Sequence, residues 1–338
     1  MNQYLSILVT LGCVAATPLA AADVAAKPAP LEKSASRKVV TRDPSTIVEC
    51  NGEYWIFYTG KGTPSMRSKD LVTWKPGPPV FKQSPDWVAT EVPNNKNGVF
   101  WAPDVMKVGN EYRLYYSVSS MGAMDSAIGL ATNRTLDPKD PRYEWKDQGV
   151  VVRSRAGGNW NAIDPAIFQD DDGRLWMAFG SHWSGLKLLE LDPKTGRRLD
   201  PDAPLIPIAS AEVGLEAAYL CKRDGYYYLF FNRGTCCQGA DSTYEIRVGR
   251  SRSIEGPYVD KEGKSLMEGG GSIFLENRND PLVAPGHAGI LLKDGTEWLS
   301  CHFEGDLQMD GKATLGVMPV RWVDGWPVAD LPESKAAR

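Results

Sequence analysis

The sequence predicts an all-β protein, a five-bladed β-propeller with four-stranded blades, and three observations point there. First, the 338 residues include 33 Gly and 24 Pro beside 11 Trp and 13 Tyr, which means many turns, aromatic strands and few long helices. Second, one unit recurs five times: an apolar run, a Gly-containing polar turn and an aromatic-rich run. Third, the turns fall near residues 52, 110, 173, 225 and 295, and a repeat of that period holds about four short strands. One such sheet cannot bury both faces, so radial stacking is the solution. A pair of β-sandwiches is the competing architecture.

Taken in order, residues 4–22 form an apolar stretch ending in Ala20-Ala21-Ala22. It reads as a secretory signal peptide over 1–22, without the usual basic flank; a single membrane anchor, or a lipoprotein modified at Cys13, is the alternative. Residues 23–39, rich in Ala, Pro and Lys, read as a linker. A single propeller domain follows over 40–330, with a tail at 331–338. The expected location is secreted or periplasmic, with no membrane contact once the signal is removed. The net charge of -4 gives no electrostatic reason to expect nucleic acid. The expected state is a monomer.

The five units are 47–58, 105–116, the stretch 159–185 with its turn at Asp172-Gly173, 218–231 and 289–300. A further strand pair follows in most: Ser65–Ser68 before Asp70–Trp74, then Ala127–Ala131, Leu186–Leu191, Glu245–Arg250 and Leu315–Val320. Asp170-Asp171-Asp172-Gly173 reads as a solvated hairpin turn rather than a calcium loop. Beyond the signal, five cysteines remain, an odd number with no CxxC spacing, which argues against a zinc site and against a complete disulfide framework. Cys50, Cys221 and Cys301 read as buried free thiols; one disulfide is compatible with export.

A propeller brings the start of each blade's inner strand to one end of the central channel. The residues just before those runs are Asp43, the segment Trp101-Ala102-Pro103-Asp104, Asp164, Glu216 and His287, so four acids and a histidine are expected to face one cleft. Any one of these acids alone would more often be a backbone cap. At matched positions in five repeats, capping is a poor account.

On these residues the sequence resembles the family 43 glycoside hydrolases, and within them the secreted arabinanases, over roughly residues 40–328. The motifs are Asp43-Pro44-Ser45, Trp101-Ala102-Pro103-Asp104, Asn161-Ala162-Ile163-Asp164-Pro165 and Phe179-Gly180-Ser181-His182-Trp183-Ser184-Gly185. They continue through Leu215-Glu216-Ala217, Cys236-Cys237-Gln238-Gly239, Ser242-Thr243-Tyr244 and Pro285-Gly286-His287. The resemblance implies a five-bladed propeller and an inverting hydrolase of α-1,5-linked arabinan or arabino-oligosaccharides, plant-type pentose polymers. It makes Asp43 the general base, Glu216 the general acid, and Asp164 the group that orients the acid and keeps its pKa high. An inverting site leaves room for water, with base and acid about 6.5–9.5 Å apart. His287 is implied to help hold a central calcium, largely through water; no organic cofactor is implied.

For substrate binding, Trp101 and Trp183 (with Trp160) can stack on sugar, and Asn161 and Ser181 can bind hydroxyls. Arg42 stands where the family has His. There it is expected to lower the pKa of Asp43 and to contact substrate. Rival readings are an exo-acting α-L-arabinofuranosidase or β-xylosidase of the same family, and a non-catalytic carbohydrate-binding propeller. The fructan-hydrolase group, also five-bladed, is argued against because Arg42-Asp43-Pro44 opens the domain instead of lying mid-chain.

Overall fold

A computed structural model describes Met1 and residues 39–278 and 282–329. The expected signal peptide, the linker up to residue 38 and the tail at 331–338 lie outside the described residues. Five antiparallel sheets form the blades of a five-bladed propeller. Blade 1 is Val48–Cys50, Glu53–Phe57, Ser65–Ser68 and Trp74–Gly77; blade 2 is Val99–Val108, Glu111–Val118, Ser126–Asn133 and Lys146–Ser154. Blade 3 is Ala166–Gln169, Leu175–Phe179, Leu186–Leu191 and Ile206–Ala209; blade 4 is Leu215–Arg223, Tyr226–Arg233, Glu245–Ser251 and Ser272–Leu275. Blade 5 is Leu282–Lys293, Thr296–Asp306, Lys312–Val323 and Trp326–Ala329. The two-residue strand Gly60–Lys61 leaves blade 1 to pair with the inner strand of blade 2, giving that sheet a fifth strand. Among the described residues no helix is long and apolar enough to cross a membrane.

The hairpins follow from local chemistry. Asn51-Gly52, Asp224-Gly225 and Asp294-Gly295 each put both residues at positive φ between paired strand ends. That is the two-residue turn whose twist matches flanking strands, and Asx-Gly is its preferred sequence. One expected strand is corrected. Residues 70–73 form a turn, with Asp70 Oδ1 accepting from the N–H groups of Val72 and Thr73 and Ser68 Oγ from those of Asp70 and Leu71. This Asx geometry takes the backbone out of the sheet before Leu71 and Val72 can extend it.

Each blade buries its faces against its neighbours, and five apolar clusters close the ring. Trp55 and Phe57 of blade 1 meet Phe100, Tyr112 and Tyr116 of blade 2. Tyr115, Ile128 and Leu130 then meet Met177 and Phe179 of blade 3. Trp176 and Leu188 meet Leu229 and Phe231 of blade 4, and Phe230 and Val248 meet Leu299 and Met318 of blade 5. The last cluster, Ile47 and Ile56 with Leu315 and Val317, joins blade 5 to blade 1. Burying one such side chain is worth about 1.5–3 kcal/mol, so the ring is held mainly between blades.

The inner strands share a feature at one end. Asp43, Ala102, Asp164, Ala217 and His287, one from each repeat, have φ of 48°, 39°, 57°, 56° and 57°. Where the inner strands are already paired, the register slips there: between Trp101 and Asp104, Glu216 and Tyr219, and Gly286 and Gly289. A side chain at positive φ costs roughly 1–2 kcal/mol, so a strained corner repeats at the mouth of every blade. These bulges re-aim side chains away from the sheet.

Candidate active site

The corners surround a cavity of about 500 Å³ whose wall includes Asp43, Asp164, Glu216 and His287. Trp101, Asn161, Ser181, Trp183 and Arg42 line the same cavity, whereas Trp160, expected to stack on sugar beside them, does not. Asp104 does not line it either. It is buried, with Oδ1 accepting from the Thr46 N–H at 3.1 Å and Oδ2 from the Ile167 N–H at 2.8 Å. The expectation of four acids in the cleft is therefore corrected to three, because Asp104 ties blade 1 and blade 3 together beneath it.

Asp43 is surrounded by donors. Thr59 donates to its Oδ2 at 2.5 Å, and His287 Nδ1 lies 3.3 Å from its Oδ1. Its backbone N–H donates to His302 Nδ1 at 3.1 Å, so that nitrogen carries no proton and Nε2 faces Glu304 Oε1 at 3.2 Å as the donor. Burial pushes the Asp43 pKa up, but the hydrogen bond and charge of His287 and the Thr59 hydroxyl outweigh it and hold the carboxyl well below the usual range. Arg42 is not the cause, which corrects the sequence expectation. Its guanidinium forks onto Glu304, with Nη1 on Oε1 and Nη2 on Oε2, both at 2.8 Å. That carboxylate is fully buried and absorbs the charge.

Glu216 is in the opposite position. It is buried, Ser181 Oγ donates to its Oε2 at 2.6 Å, and the Tyr244 hydroxyl donates to Oε1. Burial raises its pKa against the Ser181 bond, and the Asp43 charge adds to the rise. Asp164, equally buried, accepts from the Ala217 N–H at 3.2 Å and is pushed up to about 8 by burial and by the charges of Glu216 and Asp43. Two buried carboxyls this close cannot both ionise easily, so near neutral pH the pair holds a proton that Asp43 does not.

His182 reaches Glu216 Oε2 at 3.9 Å from a backbone at φ 52°. It can do so because residue 214 is glycine: a Cβ there would sit 1.9 Å from His182 Nδ1. Trp183, also at positive φ, is half exposed on the wall, as a stacking residue requires. Trp160 packs edge-on against Phe179, 5.9 Å between ring centres, and belongs to the core between blades 2 and 3. Cys50, Cys221 and Cys301 are free thiols, the first and last buried, while Cys236 and Cys237 are joined as a disulfide between adjacent residues on the cleft wall.

Thr59, Tyr244, His302 and Glu304 were not singled out as site residues from sequence. They lie outside the corners, and only the packing of blades carries them to the carboxyls. The sole available signal was Tyr244 within Ser242-Thr243-Tyr244.

For a metal, Asp43, His287 and His302 offer one carboxylate oxygen and two imidazole nitrogens within 4.8 Å of one another. Calcium takes six to eight oxygens, and His302 Nδ1 is already engaged by the Asp43 N–H. These side chains alone fall short of a calcium shell, so an ion held here would draw most of its oxygens from water. What fits a cation is the field: although burial opposes it, Asp43, Asp164 and Glu216 push the His287 pKa up to about 9.

Comparison with known proteins places this geometry in context. The model of "Glycosyl hydrolases family 43" matches residues 37–327. The chain is 38% identical to the extracellular exo-α-(1→5)-L-arabinofuranosidase ArbA of Cellvibrio japonicus, over 88% of both chains. It is 39% identical to the extracellular endo-α-(1→5)-L-arabinanase 1 of Bacillus subtilis, over 84% of this chain and 86% of that one. Among solved structures, the Cellvibrio cellulosa α-L-arabinanase complexed with arabinohexaose superposes with a TM-score of 0.82 at 36% identity, covering 86% of this chain and 96% of the other.

Proposed function

The chain belongs to the family 43 glycosyl hydrolases, and from that premise we propose that it hydrolyses α-1,5-L-arabinofuranosidic linkages in arabinan or arabino-oligosaccharides. The observation that carries this is the opposed protonation of carboxyls in one cleft. Asp43 is held ionised, while the buried pair of Glu216 and Asp164 retains a proton near neutrality.

In this reading Asp43 takes a proton from a water molecule as the water oxygen bonds to the anomeric carbon. Glu216 gives its proton to the glycosidic oxygen as the old carbon–oxygen bond breaks. The stereochemistry inverts, because water enters opposite the leaving group. Asp164 holds the N–H of Ala217, next to the acid. It shares one proton with Glu216 near neutrality, because two buried carboxyls resist ionising together. In this way it orients the acid and keeps its pKa up. Trp101 and Trp183 stack on sugar rings, Asn161 binds hydroxyls, and Arg42 contacts the chain from the base side. Ser181 is already bonded to Glu216, so its first role is to tune the acid.

Export agrees with the extracellular relatives. A calcium ion at the channel centre, if held, would rest on His287 and take the rest of its shell from water. It would supply positive charge among the three carboxyls.

The test is reducing-sugar release from linear arabinan, wild type beside Glu216→Ala, with products sized over time. Mixed oligomers early, abolished in the variant, are expected of an endo-acting enzyme whose acid is Glu216. Arabinose alone would move the assignment to exo action, as in the Cellvibrio relative's name. No release from a folded protein would sink the proposal.

A further inference from the structure

Cys236 and Cys237 occupy a position in the cleft that the chemistry above does not use. Cys237 is exposed and Cys236 half-buried on the cavity wall. Each is pinned to a different half of the catalytic machinery. On one side, Arg42, the residue before Asp43, places Nη1 3.1 Å from Cys237 Sγ, and the Cys237 N–H donates to the buried Glu304 Oε2 at 3.1 Å. On the other, Cys236 packs against the cluster of Tyr244, Val283 and Ala284, and the Tyr244 hydroxyl is bonded to Glu216. The sulfurs therefore sit between the surroundings of Asp43 and those of Glu216, beside the point where a bond would be cut.

Among the described residues this is the only disulfide, and it joins neighbours in sequence. It closes no loop of chain, so the usual entropic stabilisation of a cross-link is minimal. A core brace has no reason to leave Cys237 exposed to the cavity. Joined sulfurs form a small, rigid, polarizable and donor-free surface. Such a surface suits the C–H face of a sugar ring and offers nothing to its hydroxyls. The opposite chemistry is present around it: Asn161, Ser181 and the three carboxyls are hydrogen-bonding groups on the same cavity.

We propose that the Cys236–Cys237 disulfide is a substrate-contacting platform on which the furanose ring next to the scissile bond rests its C–H face, with Arg42 and Glu304 fixing the platform's orientation. The proposal rests on the arabinan-hydrolase reading. It makes the disulfide a specificity element: the oxidised pair selects a ring presenting an undecorated face, and side-chain substituents on that face are excluded.

The experiment measures kcat and KM with arabinohexaose for the wild type and for a Cys236→Ala/Cys237→Ala double variant, with circular dichroism to confirm the fold. Loss of one apolar contact is expected to raise KM about tenfold, with kcat within about twofold of wild type. A variant with wild-type KM, or one that loses kcat at constant KM, would overturn the proposal in favour of a bracing role. Should the double variant not fold, the inactive Asp43→Asn protein, which keeps both cysteines, is reduced by a water-soluble phosphine. The phosphine becomes its oxide, water supplies the oxygen and two protons, and the pair becomes two thiols. Alkylation of those thiols by iodoacetamide, followed by peptide mass spectrometry, is expected to slow when the inactive Asp43→Asn protein is saturated with arabinohexaose; unchanged labelling overturns the platform. Failure of the wild type to cleave arabinohexaose at all would instead reject the functional reading, so the two failures are distinct.

Discussion

Asp43 is a partly buried carboxyl and Glu216 a buried one, and their neighbours push them in opposite directions. Imidazole and hydroxyl donors hold Asp43 ionised, whereas burial and the Asp43 charge favour the protonated form of Glu216. The Ser181 hydroxyl acts against that by stabilising the Glu216 carboxylate. Ser181→Ala should therefore keep the acid protonated to higher pH, moving the basic limb of the kcat/KM profile up by about 0.5–1 unit; a limb that stays or falls would contradict the assignment. Asp164 gives a second test, of stability. Its folded pKa is raised from 3.8 to about 8, so the folded state binds the extra proton between those values and stability falls as pH rises through that window. Asp164→Asn removes the titration. Its melting temperature relative to wild type should rise between pH 4 and pH 8, by about 2 °C or more, as calorimetry at the two values would show. The three carboxyls were legible because each precedes an inner strand at the same place in its repeat. Thr59, Tyr244, His302 and Glu304 were not, since their approach to the carboxyls is made by tertiary packing and leaves no local pattern.

At the scale of the element, the hairpins were the most legible part of the fold. Asn51-Gly52, Asp224-Gly225 and Asp294-Gly295 sit at positive φ, a state few other residue pairs enter cheaply. Where apolar residues occupy a turn, as Leu71 and Val72 do, the same reading fails: the Asp70 carboxylate, not hydrophobicity, sets the backbone. Asp104 is the instructive misplacement. Its motif position matches the other acids, but its oxygens accept backbone N–H groups from the segments that open blades 1 and 3. Asp104→Ala leaves both donors buried without partners and should lower stability by about 2–4 kcal/mol in urea unfolding. Asp104→Asn keeps one acceptor oxygen and should fall between the alanine variant and wild type. A neutral Asp104→Ala would mean that the inner strands do not depend on this tie.

For the whole molecule, the question is how a chain of five blades closes into a ring that holds its acids in register. Apolar contact between blade 5 and blade 1 supplies part of the answer, through Ile47, Ile56, Leu315 and Val317. The rest is backbone. Val39–Thr41 runs along blade 5, Val40 bridging Thr314, with the Thr41 N–H donating to Ala313 O at 3.1 Å and the Leu315 N–H to Val39 O at 2.9 Å. Asp43 follows two residues later, so the closure also sets where the proposed base stands. Thr41→Pro deletes one of these donors and should lower stability by about 1–3 kcal/mol, with kcat falling alongside because Arg42 and Asp43 lose their anchor. Thr41→Val is the control. Its N–H is retained, and the hydroxyl it removes is buried without a hydrogen-bond partner, so stability and kcat should hold or improve. If proline and valine behave alike in urea unfolding and in kcat, closure of the ring does not run through this strand. The position of Asp43 would then have to be set by Thr59, His287 and His302 alone.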